Sequence, residues 1–259
     1  MTTKPTPGAP SATDGALLDA TQYQMASIEK YEAIYGKHFI SPGGMESARR
    51  CIAGLGLRPG MRVLDVGCGL GGSAFLMARE HGVQVDGIDV SVNMLDAARR
   101  RLQDEGLQAQ VRLTRQDVMA LEPVASYDVV YSRDVFLHIH DKGALLALLR
   151  RLLRPNGRLF FTDYCRGEGA PSESFAAYIA QRQYHLRTVR EYQELLDQAG
   201  LVDASASDHT AEFVDILRVE LARIGADADH ADLRRSWLEK IERALRGEQG
   251  WCWCRARKP

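Results

Sequence analysis

The first chemistry in this chain comes from a cluster of glycines and a series of acids. Gly67, Gly69 and Gly72 follow the apolar residues Val63, Leu64 and Val66, and a helical pattern begins at once through Ser73, Phe75, Leu76 and Met77. Glycines suit a turn that demands unusual φ/ψ and lets a ligand lie against bare backbone. Their spacing satisfies G-x-G-x-x-G, a dinucleotide pattern that is weak when it stands alone. Asp65, Gly67 and Gly69 also satisfy D-x-G-x-G. Asp89 lies 20 residues beyond Gly69, at the end of the next apolar stretch, where a carboxylate accepts hydrogen bonds from ribose hydroxyls. Asp117, followed by Val118, closes a third stretch; its carboxylate can accept from an adenine amino group or serve as an ordinary turn acid. Together these residues call for a ligand that contains a ribose.

A second set sits further along. Asp134 and His138 are four apart, so on a helix they would share a face with Cβ atoms about 5–6 Å apart. Arg182 and Tyr184 are two apart and would diverge on a regular helix unless it ends there. Taken singly, Arg182 reads as a solvated surface residue, and Lys240, between Glu239 and Glu242, looks equally bland. His140, two residues beyond His138, competes with it for any role. No nucleophilic triad or metal-ligand cluster stands out.

The elements that must position these groups follow from periodicity. Strand patterns at 63–66, 83–90, 111–113, 127–131 and 158–164 alternate with helical ones, including 93–102 and a helix N-capped by Asp141 that runs to residue 153. Such alternation predicts a parallel sheet wound on both faces, with ligands at the strands' C-terminal ends. Before it, 16–35 reads as one or two helices, broken by Gly36 and by Ser41-Pro42-Gly43-Gly44, with a further helix over 45–55. After it come helices at 175–187, 211–224 and 231–245, a capping box at Thr188–Glu191 opening a helix to 199, and a closing strand at 251–257. We expect a disordered tail over 1–15 and one domain over 16–259. Within it, 16–45 forms an N-terminal lid and 166–249 a mainly helical cap that binds substrate.

Composition excludes several classes. A formal charge of −1 over 259 residues implies no global attraction to nucleic acid or anionic lipid. No apolar run reaches membrane-spanning length and the N-terminus lacks a signal-peptide core, so a soluble, cytoplasmic protein is expected. The five scattered cysteines form no disulfide framework, and Cys252 and Cys254 alternate on one strand face as buried packing residues.

Val63 to Gly72, Gly87-Ile88-Asp89 and Asp117 resemble the S-adenosylmethionine (SAM) motifs of class I methyltransferases. More specifically, Gln22-Tyr23, Tyr31-Glu32-x-Ile34-Tyr35-Gly36, Ile40-Ser41-x-Gly43-Gly44, Tyr131-Ser132-Arg133-Asp134, Leu137-His138, Thr162-Asp163-Tyr164-Cys165, Gln181-Arg182-x-Tyr184 and Trp237-x-x-Lys240 resemble phosphoethanolamine N-methyltransferases. The resemblance covers most of 20–200. It implies a doubly wound, mostly parallel seven-stranded Rossmann-like sheet with N-terminal lid helices and a C-terminal helical cap. SAM would lie against Gln22, Ile40, Ser41, Asp65, Gly67, Gly69, Asp89, Val90, Asp117, Val118 and Arg133. Tyr31, Tyr164, Arg182, Tyr184 and Lys240 would bind the substrate, the last four through its phosphate. Asp134 would contact the amine, and His138 would pair with Tyr23 as a latch. The implied protein is a monomeric, single-domain form that performs all three methylations. 2-Aminoethylphosphonate remains an alternative substrate, and a nicotinamide-dependent oxidoreductase an alternative reading of the glycines.

Overall fold

The computed structural model describes residues 15–226 and 230–259. The expected tail lies outside the described residues except for Gly15, which opens α1 (Gly15–Thr21). α2 (Met25–Tyr35) and α3 (Gly44–Ala53) precede β1 (Arg62–Val66), an apolar strand whose last four residues are all buried. There follow α4 (Gly72–His81), β2 (Gln84–Asp89), α5 (Val92–Asp104), β3 (Val111–Arg115) and β4 (Tyr127–Arg133). After these come α6 (Lys142–Leu152), β5 (Leu153–Arg166), α7 (Glu173–Arg182) and α8 (Val189–Gln198). β6 (Val202–Asp208), α9 (Thr210–Arg223), α10 (Ala231–Leu245) and β7 (Gln249–Arg257) complete the chain.

One seven-stranded sheet runs in the order β3-β2-β1-β4-β5-β7-β6. The chain steps outward from β1 to β3 and then returns to place β4 on the other side of β1, which makes the β1/β4 junction the topological switch point. β1 to β5 pair in parallel, and β7 inserts antiparallel between β5 and β6, with Tyr164 opposite Trp251. Both faces of the sheet are covered by apolar side chains, with Val63 and Tyr131 on one and Leu64, Val130 and Phe161 on the other. Gly67 follows β1 with φ 70°, and a Cβ there would sit 2.2 Å from Val135 Cγ2, so no other residue fits.

Four expectations change. β6 is a strand that periodicity did not show: Val202-Asp203-Ala204-Ser205-Ala206-Ser207-Asp208 contains no buried residue and is held as an edge by pairing with β7. β5 starts at Leu153 rather than 158, with the Pro155-Asn156-Gly157 turn carried inside it as a register shift against β4. α7 ends at Arg182 rather than 187, because Gln183 takes φ 54° and donates its N–H back to Ala180 O. Asp134 and His138 do not share a helix. Asp134 is left-handed (φ 55°), its N–H donates to Thr162 O at 2.9 Å, and only a 3₁₀ turn, Phe136–His138, follows.

That short segment is held from behind by buried polar groups. Lys142 Nζ donates to Phe136 O at 2.7 Å and to Ile139 O at 2.8 Å. Asp163 Oδ1 accepts the Leu137 N–H at 3.0 Å, and its other oxygen accepts from the Tyr192 hydroxyl. Lys142, Asp163 and Tyr192 are all at most 1% exposed, so none of these bonds has a water alternative. Lys142→Met keeps the volume but orphans the Ile139 carbonyl, leaves Phe136 O with only the Ile139 N–H, and withdraws the cation that favours the Asp163 carboxylate. We expect a loss of about 2–4 kcal/mol in urea unfolding. A change below about 0.5 kcal/mol, within the range of surface substitutions, would show that the segment is held by other contacts.

Candidate functional site

A deep cavity opens at the C-terminal ends of the strands around the switch point, and of the residues singled out from the sequence for ligand contact or catalysis all but His140 line it. Its cofactor half rests on Asp89. Asp89 Oδ2 accepts the Gly69 N–H and Oδ1 accepts the Ser91 N–H, both at 2.9 Å. These bonds oppose the burial that raises the pKa of Asp89. Each oxygen keeps a second lone pair, so a diol can still bind. Gly67 and Cys68 donate to Ile88 O at 2.8 and 3.0 Å, locking the glycine turn to the end of β2. A Cβ on Gly69 would make ordinary van der Waals contact with Ile40 at 3.6 Å, and Gly69 itself lines the cavity.

Asp65, at the base of the turn, is 2% exposed and its Oδ2 has no partner. Burial, reinforced by Asp89 and opposed by Arg133, pushes its pKa up to about 7. An orphaned buried carboxylate of this kind fits a ligand that brings a cation. Asp117 takes part of its bland alternative: its Oδ1 caps the turn Val118–Ala120 by accepting the Met119 N–H at 2.9 Å. Val90 and Val118 add apolar wall, and Gln22 enters from the α1–α2 connection. That connection is tied to α5: Asp19 accepts the Val92 N–H at 3.0 Å, and Asn93 donates to Tyr23 O at 2.9 Å.

Arg133 lines the cavity with its guanidinium turned to the protein. The resemblance places it against the cofactor, but its buried guanidinium donates to Gly44 O at 3.2 Å and Pro42 O at 2.6 Å. It therefore fixes the turn bearing Ser41, and only its Nε remains unpartnered. The same turn is gripped from the other side by Glu220, which accepts the Gly43 N–H at 2.7 Å and Trp237 Nε1–H at 3.0 Å.

Lys240, Arg182, Tyr164, Tyr184 and Tyr31 meet in the other half of the cavity, although they come from α10, α7, β5, the segment after α7, and α2. The early end of α7 brings Arg182 and Tyr184 together: once Gln183 turns left-handed, they no longer obey helical angles. The Lys240 ammonium sits 4.4 Å from the Trp237 ring centroid, and burial lowers its pKa to about 8. Arg182 lies over Tyr178, with 5.7 Å from its Cζ to the ring centroid. The phenols of Tyr164 and Tyr184 are held protonated by burial. This arrangement, two cations and neutral hydroxyls lining one cavity, suits a phosphate or another compact anion.

Asp134 faces the same space. Its Oδ1 accepts from Thr162 Oγ1 at 2.9 Å and from Trp251 Nε1 at 2.7 Å, while Oδ2 is buried without a partner. Burial raises its pKa, and Arg133, Trp251, Thr162 and Lys240 pull it back. His138 and Tyr23 both line the cavity, but the expected bond between them is not formed. His138 packs edge-on against Tyr184, ring centroids 5.3 Å apart, because the 3₁₀ turn aims it that way. Burial, with Lys142 nearby, lowers the His138 pKa to about 4, and burial raises that of Tyr23, so both are neutral near pH 7. His140 is exposed, pairs edge-on with His185 and lies outside the cavity. Trp251, Thr162, Trp237, Glu220 and Tyr178 escaped sequence reasoning as site residues. Thr162 and Trp237 stood inside recognised motifs, whereas Trp251 has no local signal and is revealed only by strand order.

Residues 57–200, more than half of the chain, match the family model described as a methyltransferase domain. The chain is 40% identical to phosphoethanolamine N-methyltransferase 1 of Arabidopsis thaliana over 245 residues, 90% of this chain and 50% of that one. It therefore spans about half the length of the plant relatives it matches. A phosphoethanolamine N-methyltransferase of Plasmodium falciparum (isolate 3D7) is 29% identical, with 95% of this chain and 96% of that one covered. Among solved structures, Haemonchus contortus phosphoethanolamine N-methyltransferase 2, in complex with phosphomonomethylethanolamine and S-adenosylhomocysteine, matches with TM-score 0.91 and 35% identity. That match covers 95% of this chain and 60% of the nematode chain. The dinucleotide reading of the glycines is set aside by the family match, and the fold is that of class I methyltransferases. By its sequence model, its sheet and its glycine turn alike, the chain belongs to the methyltransferase-domain family.

Proposed function

We propose that this protein is a SAM-dependent N-methyltransferase that acts on phosphoethanolamine and its mono- and dimethyl forms. The observation that carries this reading is the bare Oδ2 of Asp134 sharing one cavity with Lys240, Arg182, Tyr164 and Tyr184. A zwitterion with a phosphate at one end and an ammonium at the other matches a pocket with cations at one end and a carboxylate at the other. The near-neutral chain supports a small-molecule substrate rather than nucleic acid, and we infer that it works as a monomer.

The cofactor half fits SAM on its own terms. Asp89 would take the ribose hydroxyls and the unpartnered Asp65 Oδ2 a cationic amino group. The backbone of Gly67 and Gly69, which lines the cavity, would lie against the rest. SAM, when bound, supplies a methyl group on a sulfonium whose C–S bond breaks with its electron pair staying on sulfur. The protein's part is therefore alignment and charge compensation. Arg182, Lys240, Tyr164 and Tyr184 anchor the phosphate and so set the depth of the amine. A primary alkylamine carries its proton to pH of about 10, and its lone pair is free only once that proton leaves. Asp134 Oδ2 holds the ammonium and takes the proton, and its raised pKa makes it a better acceptor than an ordinary carboxylate. Neutral Tyr23 and His138 close the N-terminal segment over the site and keep water out.

A methyl-transfer assay over phosphoethanolamine, its methylated forms, ethanolamine and 2-aminoethylphosphonate tests the reading. Transfer to the phosphorylated amines but not to ethanolamine is expected. Transfer to ethanolamine with equal efficiency, or to none of the panel, overturns it. Faster transfer to the phosphonate would move the assignment there, since the cation cluster suits both anions.

Three outcomes follow from the geometry. Asp134→Ala should slow single-turnover transfer of the first methyl by about 10²-fold or more and leave SAM affinity nearly unchanged. A wild-type rate would remove Asp134 from the chemistry. Lys240→Ala should raise KM for the phosphorylated amine without weakening SAM, and a parallel loss of both affinities would mark α10 as merely structural. The third outcome concerns pH. With a pKa of about 7 in the free protein, Asp65 must shed a proton to hold a cationic amino group once pH drops below that value. Binding therefore weakens with acidity, by up to about tenfold per pH unit below 7. Calorimetric titration with S-adenosylhomocysteine should show that slope in the wild type and a flat response in Asp65→Asn. An equal slope in both would place the titrating group elsewhere.

A further inference from the structure

We propose that Thr162 and Trp251 are positioning residues that leave Asp134 one working oxygen, Oδ2, and fix where the substrate amine must sit. The inference rests on the reading of Asp134 as the amine's partner. An sp² carboxylate oxygen offers two lone pairs, and Asp134 Oδ1 already accepts two donors, the Thr162 hydroxyl at 2.9 Å and the Trp251 indole N–H at 2.7 Å. Oδ2, buried with no partner, is the remaining acceptor. The carboxylate plane is pinned as well as half occupied, because two donors from different strands fix its rotation.

Both donors stand on rigid ground. Thr162 and Trp251 are fully buried, on β5 and β7, which lie side by side in the sheet next to β4. Thr162 also accepts the Asp134 N–H through its own carbonyl, so one residue holds both the backbone and the side chain of Asp134. Trp251 is wedged between Phe213 and Trp253, with ring centroids 5.9 and 5.8 Å away, and its carbonyl accepts the His209 N–H at 2.8 Å. Asp134 itself sits in a left-handed conformation, which a lone aspartate would leave readily. The chemical consequence is positional. An ammonium held on a single fixed oxygen has its nitrogen placed at one point, and once its proton has passed to that oxygen a rotation about the C–N bond turns the freed lone pair toward the methyl donor without moving the nitrogen. A carboxylate free to rotate would hold the same charge at many positions, few of them productive.

Two donors on Oδ1 also favour the ionised form. The other groups around Asp134 are the cations Arg133 and Lys240, the phenols of Tyr23, Tyr35 and Tyr164, the thiols of Cys51 and Cys252, and the Asp163 carboxyl. None of them is altered by removing the Thr162 hydroxyl. Loss of a donor therefore moves ionisation of Asp134 to higher pH, and activity that needs the anion is lost first on the acid side.

The test is single-turnover methyl transfer against pH for wild type, Thr162→Val, Thr162→Ser, Trp251→Phe and Asp134→Asn, using phosphomonomethylethanolamine, with S-adenosylhomocysteine affinity measured in parallel. Thr162→Val is isosteric and keeps the backbone bond. It should slow transfer about tenfold at neutral pH and move the acid limb up by about one unit, the weight of one hydrogen bond to a charged group. Affinity for S-adenosylhomocysteine should stay within about twofold, because no contact in the cofactor half changes. Thr162→Ser should restore both rate and limb, and Trp251→Phe should move them as Thr162→Val does. A wild-type rate and limb in both Thr162→Val and Trp251→Phe overturns the inference, and so does an equal loss in Thr162→Ser and Thr162→Val. Asp134→Asn separates the two levels: if it transfers the methyl at the wild-type rate, the reading of Asp134 itself fails.

Discussion

The structure depends on how it tolerates buried carboxylates at the C-terminal ends of neighbouring strands. Asp65, Asp89 and Asp163 stand in the C-terminal parts of β1, β2 and β5 and Asp134 just beyond β4, and burial raises the pKa of each. An uncompensated buried charge costs several kcal/mol, so each needs a local solution. Asp89 has two backbone N–H groups. Asp163 has Tyr192, the Leu137 N–H and the field of Lys142. Asp134 has Thr162 and Trp251 on one oxygen only, and Asp65 keeps one oxygen with no partner. Asp89 and Asp163 have a protein donor on each oxygen. The two with a bare oxygen are those that face the proposed cationic ligands. Among these four carboxylates, a bare oxygen falls where a ligand's charge would complete it.

The same constraint explains why so much of the molecule serves a small site. Lys142 and Asp163 have no place in the cavity, yet they fix the segment between Asp134 and His138 by its backbone. Arg133 and Glu220 grip the Pro42–Gly44 turn from opposite sides, one from the sheet and one from α9, next to the helix that carries Lys240. The turn that walls the cofactor half is therefore mechanically continuous with the helices that wall the anion half.

Local patterns made part of this legible. The glycine turn, the Asp141 cap and the Thr188–Glu191 capping box are short-range features whose geometry depends on neighbours in sequence, and each takes the form expected of it. β6 has a faint pattern because its inward residues are only the small Ala204 and Ala206, and pairing with β7 holds it as an edge. The helix assumed from Asp134 to His138 failed on a single φ angle, set by a hydrogen bond to β5 that no local pattern encodes. Arg133 carried the right charge for a ligand contact, but its fork is spent on carbonyls, a use that depends on where residues 42–44 arrive.

Trp251 shows where reading by sequence ends and topology takes over. It follows Asp134 by 117 positions, inside a closing strand whose alternation reports only that Trp251 and Trp253 share a face. Its functional position comes from β7 being antiparallel and inserted between β5 and β6 rather than added at the edge. That insertion sets Trp251 opposite Tyr164 and one register step from the Asp163–Cys252 pair, which brings the indole level with the end of β4. A parallel strand in the same place would have carried its C-terminal end to the cavity and left Trp251, near its start, at the far edge of the sheet. The reversed strand is what allows the chain's last element to reach the carboxylate on which the proposed chemistry turns.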